Sequence, residues 1–491
     1  MTEAFSRFLV VVYPRLLCLL LGAWAIAAFP ALARLRRRLA ARPGTSTLLL
    51  ALAAVALLLR LAQPGVHRLY YDEFEHIDAA RHLSSSAEYA ETLAGGLSGW
   101  DVTAAPTWPA GHHVALALIF RLFGASDAVA FAWSAVLGGL GAVLVAWAAL
   151  ELFGDPRGAL AAGFVWAVLP LGLRWSAAAD LTSASLFWCA AALAALHARE
   201  AEPGPWADAF AALTLAYAVQ VRPENVLLLG YGALVSTRRA LLLPAALGFL
   251  VPAALALANR AAGLPGYSAQ TTAPFANLAR QLGPNLRFLA APGAASLLLA
   301  LPALAGLRRA PARRLALLAV GYFLVYGIFF RGRFDDGAED RYALSVLLPL
   351  AVAAAAELSR APQAACVLAA GLLWFGPRPV EPGPPPEARL AAAAANLIPE
   401  KTCVLAFNAP AARALLGRPA VWAYLPLENL DGFEKQRSAA GADPRLVLFE
   451  DWAWRSRPAD AARLEALLAR RYSESVLARD GDDALVLLAP R

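Results

Sequence analysis

Apolar residues along the chain gather into blocks separated by short charged stretches, with runs at 8–32, 46–62, 128–153, 158–173, 181–197, 207–221, 224–236, 240–258, 288–306, 315–330, 343–358 and 364–376. Blocks of this length and rhythm are what helices crossing a bilayer require, and soluble multidomain chains do not show them. Two further segments are amphipathic rather than spanning. Residues 75–83, and residues 111–123 with His112 and His113 at one end and Arg121 near the other, read as helices lying in the membrane interface. Counting 111–123 as a crossing would invert every later loop. Beyond Pro377 the pattern changes: Pro379, Pro382, Pro384, Pro385 and Pro386 make a stiff linker, and the apolar runs shorten to strand length. Strands are predicted at 402–407, 420–424, 445–449, 475–478 and 484–488, with helices at 387–397, 409–416 and 459–470, which together describe a small α/β domain.

The arginines orient these blocks. Arg34, Arg36, Arg37, Arg38 and Arg42 form the densest basic cluster and should stay cytoplasmic, so the run at 46–62 leads outward and 63–127 is a long first external loop. The loops holding Arg157, Arg199, Arg238–Arg239, Arg308–Arg309, Arg313–Arg314 and Arg360 then fall on the cytoplasmic side, and the C-terminal domain falls outside. Arg15 interrupts the apolar core of residues 1–33 and no small-residue cleavage site follows, which favours a membrane anchor over a cleaved signal peptide. The expected architecture is a polytopic α-helical membrane protein of about 11–13 transmembrane helices with a small extracytoplasmic α/β domain. Its parts are an N-terminal anchor and basic loop (1–45), a transmembrane domain (46–376), a Pro-rich linker (377–386) and the α/β domain (387–491).

Composition agrees. The 491 residues are 59% hydrophobic and only 16% charged, and the mean hydropathy is +0.54, too apolar for an ordinary soluble enzyme. The net charge of +7 is used up in loop placement and implies no nucleic-acid partner. Four cysteines, three of them inside apolar runs, give neither a disulfide framework nor a zinc-ligand spacing.

The charges that do not mark cytoplasmic loops collect on the other face: Asp72, Glu73, Glu75 and His76; Arg174 and Asp180; Arg222 and Glu224; and Arg331, Arg333, Asp335, Asp336, Glu339, Asp340 and Arg341 in the stretch that ends at Tyr342. Carboxylates and arginines at membrane depth are costly unless they pair or face a wet cavity, so a set drawn from distant segments points to a polar site. Any one of these residues, taken singly, is equally a polar loop residue. A carboxylate such as Asp72 or Glu73 can take the proton of an attacking hydroxyl, and arginines can stabilise a phosphate that leaves. Asp72 and His76 would share a helix face at i,i+4, with His112 and His113 as further candidates, so a divalent metal is conceivable there; no HExxH or paired-cysteine pattern accompanies it.

Tyr70-Tyr71-Asp72-Glu73-Phe74-Glu75-His76 followed by Ile77, Asp78 and Ala79 resembles the acidic segment that opens the first external loop of the multispanning GT-C glycosyltransferases, particularly bacterial relatives of protein O-mannosyltransferases and of the lipid A aminoarabinose transferase. Pro106-Thr107-Trp108-Pro109-Ala110-Gly111-His112-His113 resembles the later part of that loop but lacks its doubled proline. The region from Gly124 to Gly154, including Phe153-Gly154-Asp155-Pro156-Arg157, looks like the family's second span and its cytoplasmic turn, and Glu339-Asp340-Arg341-Tyr342 with Pro349 resembles its late segment. The resemblance covers about residues 45–360. It implies an inverting transfer of a hexosyl or pentosyl group from a polyprenyl-phosphate donor to an extracytoplasmic lipid, polysaccharide or protein hydroxyl. Asp72 and Glu73 would be the catalytic acids, and Arg174, Arg222, Arg331, Arg333 and Arg341 the candidates for the donor phosphate. Glu75, His76, His112, His113, Asp180, Glu224 and Tyr342 would be accessory, no cofactor is certain, and the setting is the bacterial cytoplasmic membrane with the site facing outward. A transporter or flippase of lipid-linked sugars, or a non-catalytic assembly protein, would share the spans.

Overall fold

A computed structural model of the chain describes every residue except 1–2, 41–43, 98–99, 107, 262–273, 292–295, 330–331 and 376–383. It divides into two compact units, one of Met1–Arg68 with Thr107–Val380 and one of Leu69–Pro106 with Glu381–Arg491.

The first unit is helical, and the protein is a multi-pass membrane protein. Among the described residues five helices are long and apolar enough to cross a bilayer: Ala4–Ala40, Asp127–Phe153, Arg239–Ala258, Ala310–Ile328 and Arg341–Leu358. Pro156–Val168 with Pro170–Ser176 makes a sixth candidate, bent by 59°. Other apolar helices, among them Thr45–Leu61 and Gly111–Phe123, are shorter, so the expected 11–13 spans rest partly on segments below the length of a full crossing. Arg341–Leu358 is the centre of the unit, with 83% of its apolar window buried against 22% for Ala4–Ala40, whose Leu16, Leu19, Ile26 and Phe29 remain exposed as a lipid-facing stripe would be. Local chemistry sets the helix ends. Gly154, at φ 72°, closes Asp127–Phe153, and the Asp155 side chain accepts from Arg157 N at the start of the next helix, with Pro156 at its first position. The run expected as one crossing at 158–173 breaks at Leu169, because Pro170 cannot donate a helical hydrogen bond.

Among the described residues the second unit is built on a seven-stranded sheet. Its strands are β1 (Glu91–Leu97), β2 (Trp100–Ala104), β3 (Cys403–Ala406), β4 (Ala420–Trp422), β5 (Leu446–Glu450), β6 (Tyr472–Asp480) and β7 (Asp483–Pro490), in the order β2-β1-β4-β3-β5-β7-β6. β3 runs parallel to both β4 and β5, and the other pairs are antiparallel. Alternate residues of the central strands feed two cores: Cys403, Leu405, Leu446 and Leu448 on one face, Val404, Ala406, Val447 and Phe449 on the other. Both faces are covered, which is why these strands read as unbroken apolar runs. The five strands expected beyond residue 400 all form. β1 and β2 were not expected, and they correct the domain boundaries: within the 63–127 segment, the helix Tyr70–Ser86 and these two strands belong with the C-terminal sheet, not with the membrane unit.

Candidate active site

In the first unit, helix breaks and a loop bring three of the expected arginines together. Pro170–Ser176, beyond the bend, carries Arg174 and Trp175, and both reach Asp340 at the mouth of Arg341–Leu358. Arg174 Nη1 donates to Asp340 Oδ2 at 2.6 Å, Trp175 Nε1 donates to Oδ1 at 2.6 Å, and Arg174 Nη2 reaches the Gly337 carbonyl at 3.0 Å. Arg341 donates to Asp180 Oδ2 at 3.4 Å and to Glu339 Oε2 at 3.2 Å. Asp180 in turn accepts from Thr182 Oγ1 at 2.5 Å and Thr182 N at 3.1 Å. Burial pushes the Asp340 carboxyl up to about 6, against the opposing pull of Arg174 and the Trp175 hydrogen bond.

Arg222 follows the end of Pro205–Val221, where Pro223 stops the helix. Its Nη1 donates to the Tyr326 hydroxyl at 3.4 Å, and its guanidinium lies 5.3 Å from the centre of the Tyr342 ring, against which Arg341 lies at 5.1 Å. Tyr326 and Tyr342 stack at 4.4 Å. Arg174 and Arg341 are thus committed to carboxylates, whereas among the described residues no carboxylate forms an ion pair with buried Arg222. Glu224 lies in the turn Pro223–Val226 that follows it.

Of the other expected donor-site arginines, Arg333 is paired locally instead. Arg333 is exposed and forked onto Asp335 at 2.9 and 2.7 Å, a local pair two residues apart. Arg331 lies outside the described residues. His112 and His113 are buried in Gly111–Phe123 with ring centres 5.7 Å apart.

The acidic motif is carried by the second unit. It begins the helix Tyr70–Ser86, with Asp72 and Glu73 in the first turn, where the exposed amides favour negative charge. Glu73 is fully buried and folds back, its Oε1 accepting from Leu69 N at 2.9 Å. Glu75 Oε1 accepts from Asn408 Nδ2 at 2.7 Å, while Asn408 Oδ1 caps Ala409–Leu416 through Ala411 N at 2.9 Å. The Tyr71 ring lies 5.6 Å from Trp452. One helical turn further on, Asp78 accepts from Thr92 N at 2.7 Å and Thr92 Oγ1 at 3.1 Å, which ties the helix to β1. The motif therefore sits at the carboxyl ends of the parallel strands, where β3 gives way to Asn408 and β5 to Asp451 and Trp452, the edge at which α/β sheets place ligands. Asp72 is half-buried, and His76 is buried. Among the described residues no three His, Cys, Asp or Glu side chains form a group able to hold a metal ion.

Trp175, Tyr326 and Asn408 escaped the sequence reading. For Trp175 the signal was its place after Pro170 beside an arginine; Tyr326 and Asn408 gave none, sitting inside an apolar run and after a short strand.

No family model and no curated protein sequence matches the chain. Solved structures do. ArnT from Cupriavidus metallidurans in the apo state matches 91% of this chain and 98% of its own, at 16% identity and a TM-score of 0.57. The same protein bound to undecaprenyl phosphate matches over the same shares at 16% identity and a TM-score of 0.56. The archaeal oligosaccharyltransferase AglB from Archaeoglobus fulgidus, in complex with an inhibitory peptide and a dolichol-phosphate, matches 92% of this chain and 74% of its own, at 12% identity and a TM-score of 0.50. The chain has the fold of these proteins, the GT-C fold that the sequence resemblance implied.

Proposed function

We propose that this protein is an inverting glycosyltransferase that moves one sugar from a polyprenyl-phosphate donor to an extracytoplasmic hydroxyl, in a bacterial cytoplasmic membrane with both acidic motif and C-terminal unit on the outer side. The observation that carries this reading is Arg222: a buried guanidinium that no carboxylate meets in an ion pair among the described residues, Glu224 acting on it only at longer range, beside two arginines that carboxylates hold in place. Such a group suits a phosphate, and the ArnT fold, seen elsewhere with undecaprenyl phosphate, supports a lipid-borne one. In the reaction the acceptor oxygen attacks the anomeric carbon as its proton passes to Asp72. The bond between that carbon and the phosphate oxygen breaks, and the electron pair leaves with the phosphate, whose growing charge Arg222 stabilises, assisted by Arg341. Glu73, bound to its own helix start, orients Asp72 rather than exchanging protons. If a divalent metal takes part, Asp72 with His76 is the pair that would hold it.

Purified protein in lipid nanodiscs, given polyprenyl-phosphate sugar labelled in the sugar, tests this. Arg222→Met should weaken donor use by about 2 kcal/mol or more, some thirtyfold in kcat/KM, and Asp72→Asn should lower kcat by about 100-fold with little change in donor KM. Folded variants that keep full transfer would sink the reading. The 59° bend beside Arg174 favours a second one, since broken helices mark substrate sites in transporters; it predicts label crossing the bilayer with its glycosyl–phosphate bond intact.

A further inference from the structure

Arg60 stands in the last turn of Thr45–Leu61, at the end of an apolar run, and is 1% exposed. Among the described residues it has no carboxylate partner. Its guanidinium meets backbone carbonyls only: Nη1 donates to Ala56 O at 3.1 Å and to Ala167 O at 2.9 Å, Nη2 to Trp166 O at 3.5 Å, while Nε has no partner among the described residues. A cation buried in a membrane unit without an anion is costly, and such residues persist where something requires them. Here the requirement is visible at the bend. Trp166 and Ala167 lie in the last turn of Pro156–Val168, where carbonyls lose their helical donors, and Pro170 removes the one N–H that a continuous helix would aim at Trp166 O, which is left with a long bond of 3.4 Å from Leu169 N. With no water in a bilayer core, weakly bonded carbonyls at a break need donors from elsewhere in the protein. Arg60 supplies them. Space for it is kept by Gly138, where a Cβ would fall 2.9 Å from Arg60 Nε and 2.7 Å from Ser176 Cβ. The short helix beyond the bend is the one that sets Arg174 and Trp175 on Asp340.

We infer that Arg60 is a positioning residue for the arginine cluster: it holds the bend between Pro156–Val168 and Pro170–Ser176 and thereby fixes Arg174 and Trp175 on Asp340. The inference deepens the donor-phosphate reading and rests on it for its effect on transfer. Arg60→Met keeps the side chain's length and removes its donors. Arg60→Met combined with Pro170→Ala returns an N–H to Trp166 O, so that the protein folds without the arginine but also without the held bend. Both should show about a tenfold loss in kcat/KM for the donor, Arg60→Lys should recover part of it, and Arg60→Met should add less than about twofold to the loss already caused by Arg174→Met. Multiplied losses in the Arg60→Met, Arg174→Met pair, or full transfer by the Arg60→Met, Pro170→Ala protein, would overturn the role. Thermal unfolding of Arg60→Met, Asp340→Asn and their combination, read without substrate, separates the two levels. Additive shifts overturn the positioning role even where donor binding by the cluster stands. Non-additive shifts with unimpaired transfer by Arg222→Met keep the link and remove the phosphate reading instead.

Discussion

Asp340 accepts hydrogen bonds from Arg174 and Trp175 at 2.6 Å each, yet burial holds its carboxyl at about 6, above the ordinary carboxylate range. A carboxyl whose proton is held more tightly in the folded than in the unfolded state loses stability as pH rises, here across the window from about 4 to about 6. Asp340→Asn removes that titration and stays close in shape. Its thermal midpoint should therefore gain on the wild type as pH rises from 4 to 7, while its transfer activity falls because Arg174 loses its anchoring charge; a midpoint difference that is flat with pH would contradict the assignment. Asn408 offers a second case. It caps one helix and holds Glu75, so Asn408→Ala should cost about 1 kcal/mol for the cap, and Asn408→Asp should keep the cap but set two carboxylates together. The aspartate variant should then be less stable than wild type at pH 7 and recover at pH 4, which thermal melts would show. At this scale the sequence told part of the story. Arg174, Arg222 and Arg341 were legible because charges flanking apolar runs need a reason, but the same logic also picked Arg333, which Asp335 satisfies from two residues away. Arg60 went unread because its partners are carbonyls, which no side-chain pattern announces.

Helices and strands followed their periodicities wherever local chemistry and tertiary packing agree. The 409–416 helix and the five late strands appear where the shortened apolar runs beyond the Pro-rich stretch place them. β1 did not announce itself, since Gly95 and Gly96 weaken any strand signal and its partner β4 lies far along the chain, with Gly95 opposite Ala420. The break at Leu169 was hidden for the opposite reason: the apolar run continues through Pro170, so hydropathy reports one span where the backbone makes two segments. Close packing at the bend gives this element its own test. Gly138→Val would push a side chain into Ser176 and Arg60, costing about 1–3 kcal/mol as overpacked cores do, and should lower the thermal midpoint together with donor use. Gly230→Ala meets nothing within 4 Å in its helix and should raise the midpoint slightly, by about 0.5–1 kcal/mol of helix preference. Equal effects of the two would remove the argument from packing.

For the molecule as a whole, the division into units does not follow the order of the chain. A boundary placed at the Pro-rich stretch, as composition suggests, would make residues 387–491 a domain by themselves. The sheet argues otherwise. β1 covers the edge of β4, and Ala94 and Trp100 from the early segment sit in the same core as Leu405, Phe433 and Leu448. Residues 381–491 alone would expose the β4 edge and leave that core short of an aromatic ring that packs 5.8 Å from Phe433. Such a fragment should melt broadly, without a cooperative transition by circular dichroism. Joining residues 69–106 to 381–491 through a Gly/Ser linker of about 20 residues, flexible enough to leave the fold unconstrained, should restore a single cooperative melt. It should also make the amide of Thr92 resistant to hydrogen exchange, because it is bonded in this unit to Asp78. An equally cooperative melt from 381–491 alone would show that the acidic motif is a guest of the sheet rather than part of its fold. The predicted result instead makes the motif inseparable from the C-terminal residues, so that substitutions around Asn408 and Trp452 reach Asp72 through packing even though they lie more than three hundred positions away in sequence.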